Sequence, residues 1–256
     1  PLSTDLSVMR QSLLFSGLEV VAFNSNRRQP DLKLFEFGKS YHNFPGGREE
    51  HKHLTLLMSG KQNSENWFQA QQSSSFFNLK GSVEAILNRL GISNWTVKPV
   101  KDAQFSEGLT YTTQKKSLVS FGLVPKIIRN HFDLDQEVLF ADFNWDTILD
   151  LVKQTRISFT SIPKNPAVRR DFALLLDKEV SFDQIYQEAY NVERKLLKNV
   201  ALFDVYEGKN LPEDKKSYAV SFTLQDENKT LTDKEIDKIM NKLQNHFEQQ
   251  LNAVLR

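Results

Sequence analysis

Residues 163–177 read P-K-N-P-A-V-R-R-D-F-A-L-L-L-D. Arg170-Asp171 leads into Phe172-Ala173-Leu174-Leu175-Leu176, an apolar run closed by Asp177-Lys178-Glu179. Such a run, bounded by polar residues, predicts a short buried strand. Working outward, Ser181 offers an N-cap, and Phe182, Ile185 and Ala189 recur at helical spacing. A second strand is expected over residues 200–207, ending at Gly208. The stretch 209–216 holds Pro212 and three lysines and reads as a solvated loop.

Residues 217–224 then alternate. Tyr218, Val220, Phe222 and Leu224 fall on one face, and Ser217, Ala219, Ser221 and Thr223 on the other, the signature of a strand with one buried face. Thr232 and Glu235 have capping-box spacing. The helix they start carries Ile236, Ile239, Met240, Leu243, Phe247 and Leu251, a stripe that buries one face against a sheet. Residues 253–256 suffice for a last short strand. The resulting order, β-α-β-β-α-β, is the split arrangement of ferredoxin-like folds. That order alone says little about function, because the superfold hosts many activities.

The chain has 256 residues, a soft prior for two domains, with 39% hydrophobic and 25% charged residues. No stretch approaches the roughly 18 apolar residues of a membrane span. Residues 1–15 lack a basic start and a continuous apolar centre, so no signal peptide is expected. The chain opens on Pro1, which leaves room for a longer natural chain. Cysteine is absent, which excludes disulfides, thiolate zinc sites and a cysteine nucleophile, and agrees with a reducing cytoplasm. Net charge is +1: residues after 158 carry 15 Lys+Arg against 16 Asp+Glu, the rest 18 against 16. Neither part is the basic surface of a strong nonspecific RNA binder, so any RNA contact must be local.

Residues 1–157 read as a larger first domain. Leu6, Met9, Leu13 and Leu14 suggest a short helix broken near Gly17, with another beginning at Leu18. Strands are expected over 32–41 and 54–60, joined by a charged loop over 44–52 containing Pro45-Gly46-Gly47. Leu79, Val83, Ile86, Leu87 and Leu90 mark an amphipathic helix closed by Gly91. Further strands follow over 95–100, 109–113, 117–121 and 138–143, then a helix with Trp145, Ile148, Leu149 and Val152. The whole is α+β: a mainly antiparallel sheet with flanking helices. His51 and His53 flank Lys52 and could form a metal pair, but with Glu49 and Glu50 beside them they read as a solvated hairpin. Lys115-Lys116 and Lys215-Lys216 read as loop solvation. Residues 63–75, rich in Gln and Ser, read as a loop.

Four short blocks in the last hundred residues go beyond fold. Arg170-Asp171, Phe203-Asp204-Val205-Tyr206, Lys216-Ser217 and Thr230-Leu231-Thr232-Asp233 fall where the anticodon-binding domain of the phenylalanyl-tRNA synthetase β subunit shows R-D, F-D-V-Y, K-S and T-L-T-D. Pro1-Leu2-Ser3, Met9-Arg10, Asn26-Arg27 and Leu34-Phe35-Glu36-Phe37-Gly38 are similar to the start of that subunit's class II synthetase-like core. Gly122-Leu123-Val124-Pro125 departs from the family's usual G-E-L-H-P. The resemblance covers nearly the whole chain, with residues 1–157 as the synthetase-like core and 158–256 as the anticodon-binding domain.

The resemblance implies a non-catalytic core. Class II catalysis needs arginines that grip ATP, yet residues 35–38 hold none and no G-x-G-x-x-x-R occurs; no catalytic or metal residue is assigned. It implies a cytoplasmic, bacterial-type phenylalanine–tRNA ligase that works as an (αβ)₂ assembly, this chain supporting the α subunit and meeting the tRNA anticodon stem-loop. ATP and Mg would serve the intact enzyme, with no cofactor in this chain and no membrane partner. A different class, a stand-alone regulatory or interaction protein built from a silent core, also fits, and a small-molecule sensor is a third reading. The RNA-binding candidates are Arg169 and Arg170, which could reach phosphate or stack on an unpaired base, and Tyr206, which could stack or simply pack. Asp171 could instead close a local ion pair, worth about 0–1 kcal/mol when exposed. Strict alternation puts Asp204 with Leu202 and Tyr206 on a mostly buried face, where a carboxylate needs a structural partner, with RNA contact as its other reading. Thr232 and Glu235 read as a helix cap.

Overall fold

A computed structural model describes residues 7–153, 161–208 and 211–255. The chain divides into two compact units, Pro1–Ser158 and Phe159–Arg256. The expected junction at residues 157 and 158 lies outside the described residues, as do Leu6 and the other residues before Ser7.

In the first unit, six strands form one antiparallel sheet: β1 (Leu32–Phe44), β2 (Gly47–Ser59), β3 (Thr96–Pro99), β4 (Glu107–Thr113), β5 (Lys116–Leu123) and β6 (Val138–Asn144), in spatial order β1-β2-β6-β5-β4-β3. Helices α2 (Phe76–Arg89) and α4 (Trp145–Val152) cover one face, burying Leu79, Val83 and Ile148 with Leu56, Phe121 and Phe143. On the other face α1 (Leu14–Ser25) buries Leu14, Leu18 and Val21 with Leu57, Val138 and Phe140, beside α3 (Lys126–Asn130).

Two expectations are corrected. The helix runs unbroken through Gly17, whose missing Cβ lets α1 lie close on β2: a Cβ there would stand 2.7 Å from Leu57 Cδ1. The charged stretch 47–52 is strand, not loop, and pairs with β1 down to Phe44↔Gly47 around a two-residue Pro45-Gly46 turn. Its residues are exposed, so polar side chains cost nothing there and the alternation that marks a half-buried strand never develops.

In the second unit, β7 (Val168–Asp177), β8 (Leu197–Tyr206), β9 (Lys215–Leu224) and β10 (Val254–Leu255) form a sheet of order β10-β7-β9-β8. Every pairing is antiparallel. With α5 (Phe182–Val192) and α6 (Asp233–Leu251) this completes the β-α-β-β-α-β order. Both helices pack on one sheet face, where Leu174, Leu176, Val220, Phe222 and Leu224 meet Ile185, Ala189, Ile236, Leu243 and Phe247. Lys215 and Lys216 belong to β9, not to a solvated loop: Lys215 pairs with Asp177 at 2.5 Å, and Lys216 is buried with its Nζ donating to Lys178 O at 2.7 Å.

The α6 N-terminus is held by Thr232, whose backbone N–H and hydroxyl both donate to the Glu235 carboxylate, at 3.0 and 2.9 Å. Lys229 pairs with the same carboxylate. Lys229 first, then these Thr232 bonds, lower the Glu235 pKa from 4.5 to about 2. A depressed carboxylate stabilises the fold above its unfolded pKa, and that stability is lost as pH falls through the folded value. Stability of the second unit is therefore expected to fall between about pH 4.5 and 2. Glu235→Gln keeps an acceptor at the cap and should flatten that part of the curve, measured as urea midpoint against pH.

Candidate nucleic-acid interface

The helices of the second unit cover one sheet face, and the opposite face carries the exposed polar and aromatic side chains. On β7, Val168, Phe172, Leu174 and Leu176 pack toward the helices, so Arg169, Asp171 and Ala173 take the other face. Their β9 partners there are Thr223, Ser221 and Ala219, all small. Arg169 Nε donates to Asp171 Oδ1 at 2.8 Å, and its Cζ lies 5.0 Å from the Phe203 ring centroid. The neighbouring Arg170 turns the other way. It is half-buried, donates to Arg169 O at 3.1 Å and reaches Asp233 at the start of α6 at 3.4 Å.

The edge strand β8 changes phase at Phe203. Leu202 pairs with Val220 and Asp204 with Ala219, leaving Phe203 as a bulge residue. A bulge sets two residues against one and shifts the alternation beyond it. Leu202 therefore packs on the helix-side core, while Asp204 joins Ala219 on the open face, and Tyr206 follows opposite Ser217. This corrects the expectation that Asp204 lies on a buried face and needs a partner: Asp204 is exposed, and among the described residues no ion pair or hydrogen bond holds its carboxylate. Tyr206 is 40% exposed, its ring lying over Gly208, where a Cβ would stand 2.4 Å from Oη. Asp171 and Arg169 form their ion pair on this same face, whereas Thr232 and Glu235 cap α6.

The first unit holds a second polar arrangement. On the α1 side of its sheet, one row runs through all six strands as Glu36↔Thr55↔Asp142↔Ser120↔Thr110↔Lys98. Its members are tied in pairs: Arg10 to Glu36 at 2.8 Å, His53 Nδ1 to Asp142 at 2.7 Å, Thr110 to Ser120 at 2.9 Å. His53 Nε2 also meets Ser40 Oγ at 2.8 Å, giving a Ser-His-Asp series. Ser40 is 1% exposed within a paired strand, so no substrate reaches its hydroxyl and the series serves as an internal link. His53 is thus partly buried rather than solvated, while His51 stays exposed beside Glu49 at 3.2 Å. Among the described residues no group of three or more His, Cys, Asp or Glu could hold a metal ion. Among them also, no helix is long and apolar enough to cross a membrane.

Comparison with known proteins accounts for both units. The family model described as phenylalanyl tRNA synthetase beta chain CLM domain matches residues 1–145, and that of the ferredoxin-fold anticodon binding domain matches residues 163–256. The phenylalanine–tRNA ligase beta subunit of Bacteroides thetaiotaomicron is 49% identical over all of this chain and 33% of its own length. Those of Porphyromonas gingivalis and Fusobacterium nucleatum are 40% and 32% identical, again over all of this chain and 33% of theirs. The chain thus spans about a third of the length of these relatives. With matches over both units and relatives of one kind, the chain belongs to the phenylalanyl-tRNA synthetase beta-chain family.

Proposed function

We propose that this chain acts as part of a phenylalanine–tRNA ligase β subunit in the cytoplasm: its first unit supports the catalytic α subunit of an (αβ)₂ assembly, and its second unit binds the anticodon arm of tRNA. The observation that carries the RNA reading is the uncovered face of the second sheet. There Arg169 meets Phe203, and Asp204 and Tyr206 follow along β8, within a domain whose family model is named for anticodon binding. Single-stranded RNA is recognised by stacking on aromatic and guanidinium planes and by hydrogen bonds to base edges. This face offers the first through Phe203, Tyr206 and Arg169, and an acceptor for base donors through Asp204.

ATP and Mg belong, on this reading, to the α subunit. The carboxylates of the first unit's polar row are engaged by Arg10 and His53, and its cation, Lys98, stands at the far edge strand. The arrangement suits a scaffold better than a nucleotide site.

Salt titration tests the RNA reading. A labelled hairpin carrying the anticodon arm of phenylalanine tRNA should bind the chain, with affinity falling as salt rises. Arg169→Gln should reduce the slope of log K against log salt by about one, because one phosphate contact is lost. Arg170→Ala should leave the slope unchanged and lower the unfolding midpoint, since Arg170 props the start of α6. Absence of hairpin binding at low salt would remove the RNA reading.

A further inference from the structure

We propose that Ser40 joins His42 and His53 into a link that holds one added proton but not two, so that the outer end of the β1–β2 ribbon loosens when both imidazoles are charged. Gly38, Ser40 and His42 of β1 share a face with Glu49, His51 and His53 of β2. There Ser40 Oγ meets His53 Nε2 at 2.8 Å and His42 Nε2 at 3.1 Å. The proton positions follow from the far end. Asp142 accepts from His53 at 2.7 Å, so His53 Nδ1 carries the hydrogen. Neutral His53 then leaves Nε2 bare, and Nε2 accepts the Ser40 hydroxyl proton. The serine oxygen in turn accepts from His42 Nε2–H. The two rings are therefore opposite tautomers.

One more proton fits. At His42 Nδ1 it changes no bond, and this ring lines a surface cavity of about 570 Å³ with Val8, Met9, Gln11, Tyr41 and Glu49. On His53 Nε2 it turns the Ser40 hydroxyl toward His42, whose own hydrogen moves to Nδ1. With both rings charged, two N–H groups point at Ser40 Oγ, and the serine hydrogen has no other acceptor among the described residues. Ser40 is buried on a paired strand, so water does not take over that bond, and a buried unpaired donor is costly. The charges around the link do not relieve it. Arg10 is held by Glu36 and Lys39 O, Asp142 already serves His53, and Glu49 pairs with His51 at 3.2 Å. The His51 ring lies 5.5 Å from that of His42 and adds positive charge when protonated. Lys39, Arg48, Glu50 and Lys52 project from the opposite face of the ribbon.

The test uses the whole chain labelled with nitrogen-15. Imidazole spectra at about pH 7.5 should show His53 protonated at Nδ1 and His42 at Nε2; the same tautomer for both would overturn the link. Between about pH 7.5 and 5, where histidines ordinarily charge, amides of residues 40–51 should exchange about tenfold or more faster than the chemical rate alone predicts. Residues 109–113 and 117–121 of β4 and β5 should keep their protection. His42→Phe keeps a ring to stack on Phe44 and removes the second proton, so the acceleration should vanish. His51→Gln should retain it, because the link does not run through His51. An acid response that is absent from the parent, survives His42→Phe or is lost in His51→Gln would overturn the proposal.

Discussion

Phe222→Ala is expected to remove about 3–5 kcal/mol from the second unit, the cost of truncating a fully buried Phe. Phe222 is 0% exposed on β9, the strand flanked by both β7 and β8. Its ring meets Phe172 at 5.4 Å and Phe247 at 5.9 Å, so one residue joins the first strand, the central strand and the long helix. Those neighbours are held by their own backbones and relax only partly into the vacated volume. A small domain has only about 5–15 kcal/mol in total, so the loss should bring the second unit near its unfolding threshold. The readout is separable because Trp67, Trp95 and Trp145 all lie in the first unit. Tryptophan fluorescence should keep its urea midpoint, while the part of the far-UV circular dichroism signal that comes from the second unit unfolds at much lower urea. A common shift of both signals would mean that the two cores unfold as one.

The same residue shows what was legible in the sequence. Tyr218, Val220, Phe222 and Leu224 alternate without interruption and all pack toward the helices, because a central strand with one covered face imposes a period of two on its side chains. The stripe of α6 was equally readable: all six of its expected apolar residues are buried. Edge strand β8 obeys the same rule only from Asn199 to Leu202, between two register shifts. A bulge is one extra residue, it leaves no mark in composition, and every face assignment beyond it is reversed, which is why simple alternation puts Asp204 among buried side chains. The β1–β2 ribbon escaped for a different reason, since its exposed end puts no hydrophobic demand on the chain and charge there looks like loop.

The polar row of the first unit was out of reach of local reading. His53 and Asp142 stand 89 residues apart and meet only because β2 and β6 are neighbours in the sheet. The candidate interface was half readable for a related reason. Arg169 and Arg170 stood out as a pair, but choosing between them requires knowing which face the helices cover. Once α5 and α6 are in place, Arg170 becomes a prop for α6 and Arg169 the residue that faces outward. In the sequence Phe203 is one member of a short block; its approach to Arg169 across β9 follows from pairing that no short window contains.

The first unit should be most sensitive at a residue with no side chain. Gly122 on β5 pairs with Gly108 on β4, and the two strands are pinched together there. A Cβ on Gly122 would lie 2.0 Å from Glu107 O and 2.7 Å from Gly108 Cα. Both are backbone atoms, so no rotamer change relieves the clash and the strands themselves must part. The next paired position on the same face, Ser120↔Thr110, carries side chains on both strands and closes a 2.9 Å hydrogen bond, so the constraint belongs to the glycine pair alone. Gly122→Ala is therefore expected to cost about 3 kcal/mol or more, the upper end for forced overpacking. With a typical urea dependence the midpoint should fall by about 1–2 M. Trp95 stacks on Tyr111 of β4 at 5.2 Å, so fluorescence reports the disturbed strand directly. Gly46→Ala is the matched control: a Cβ there meets nothing within 4 Å, and its effect should stay within about 0.5 kcal/mol. Equal midpoints for Gly122→Ala and Gly46→Ala would show that β4 and β5 can separate without loss, and the pinch would not be a structural requirement.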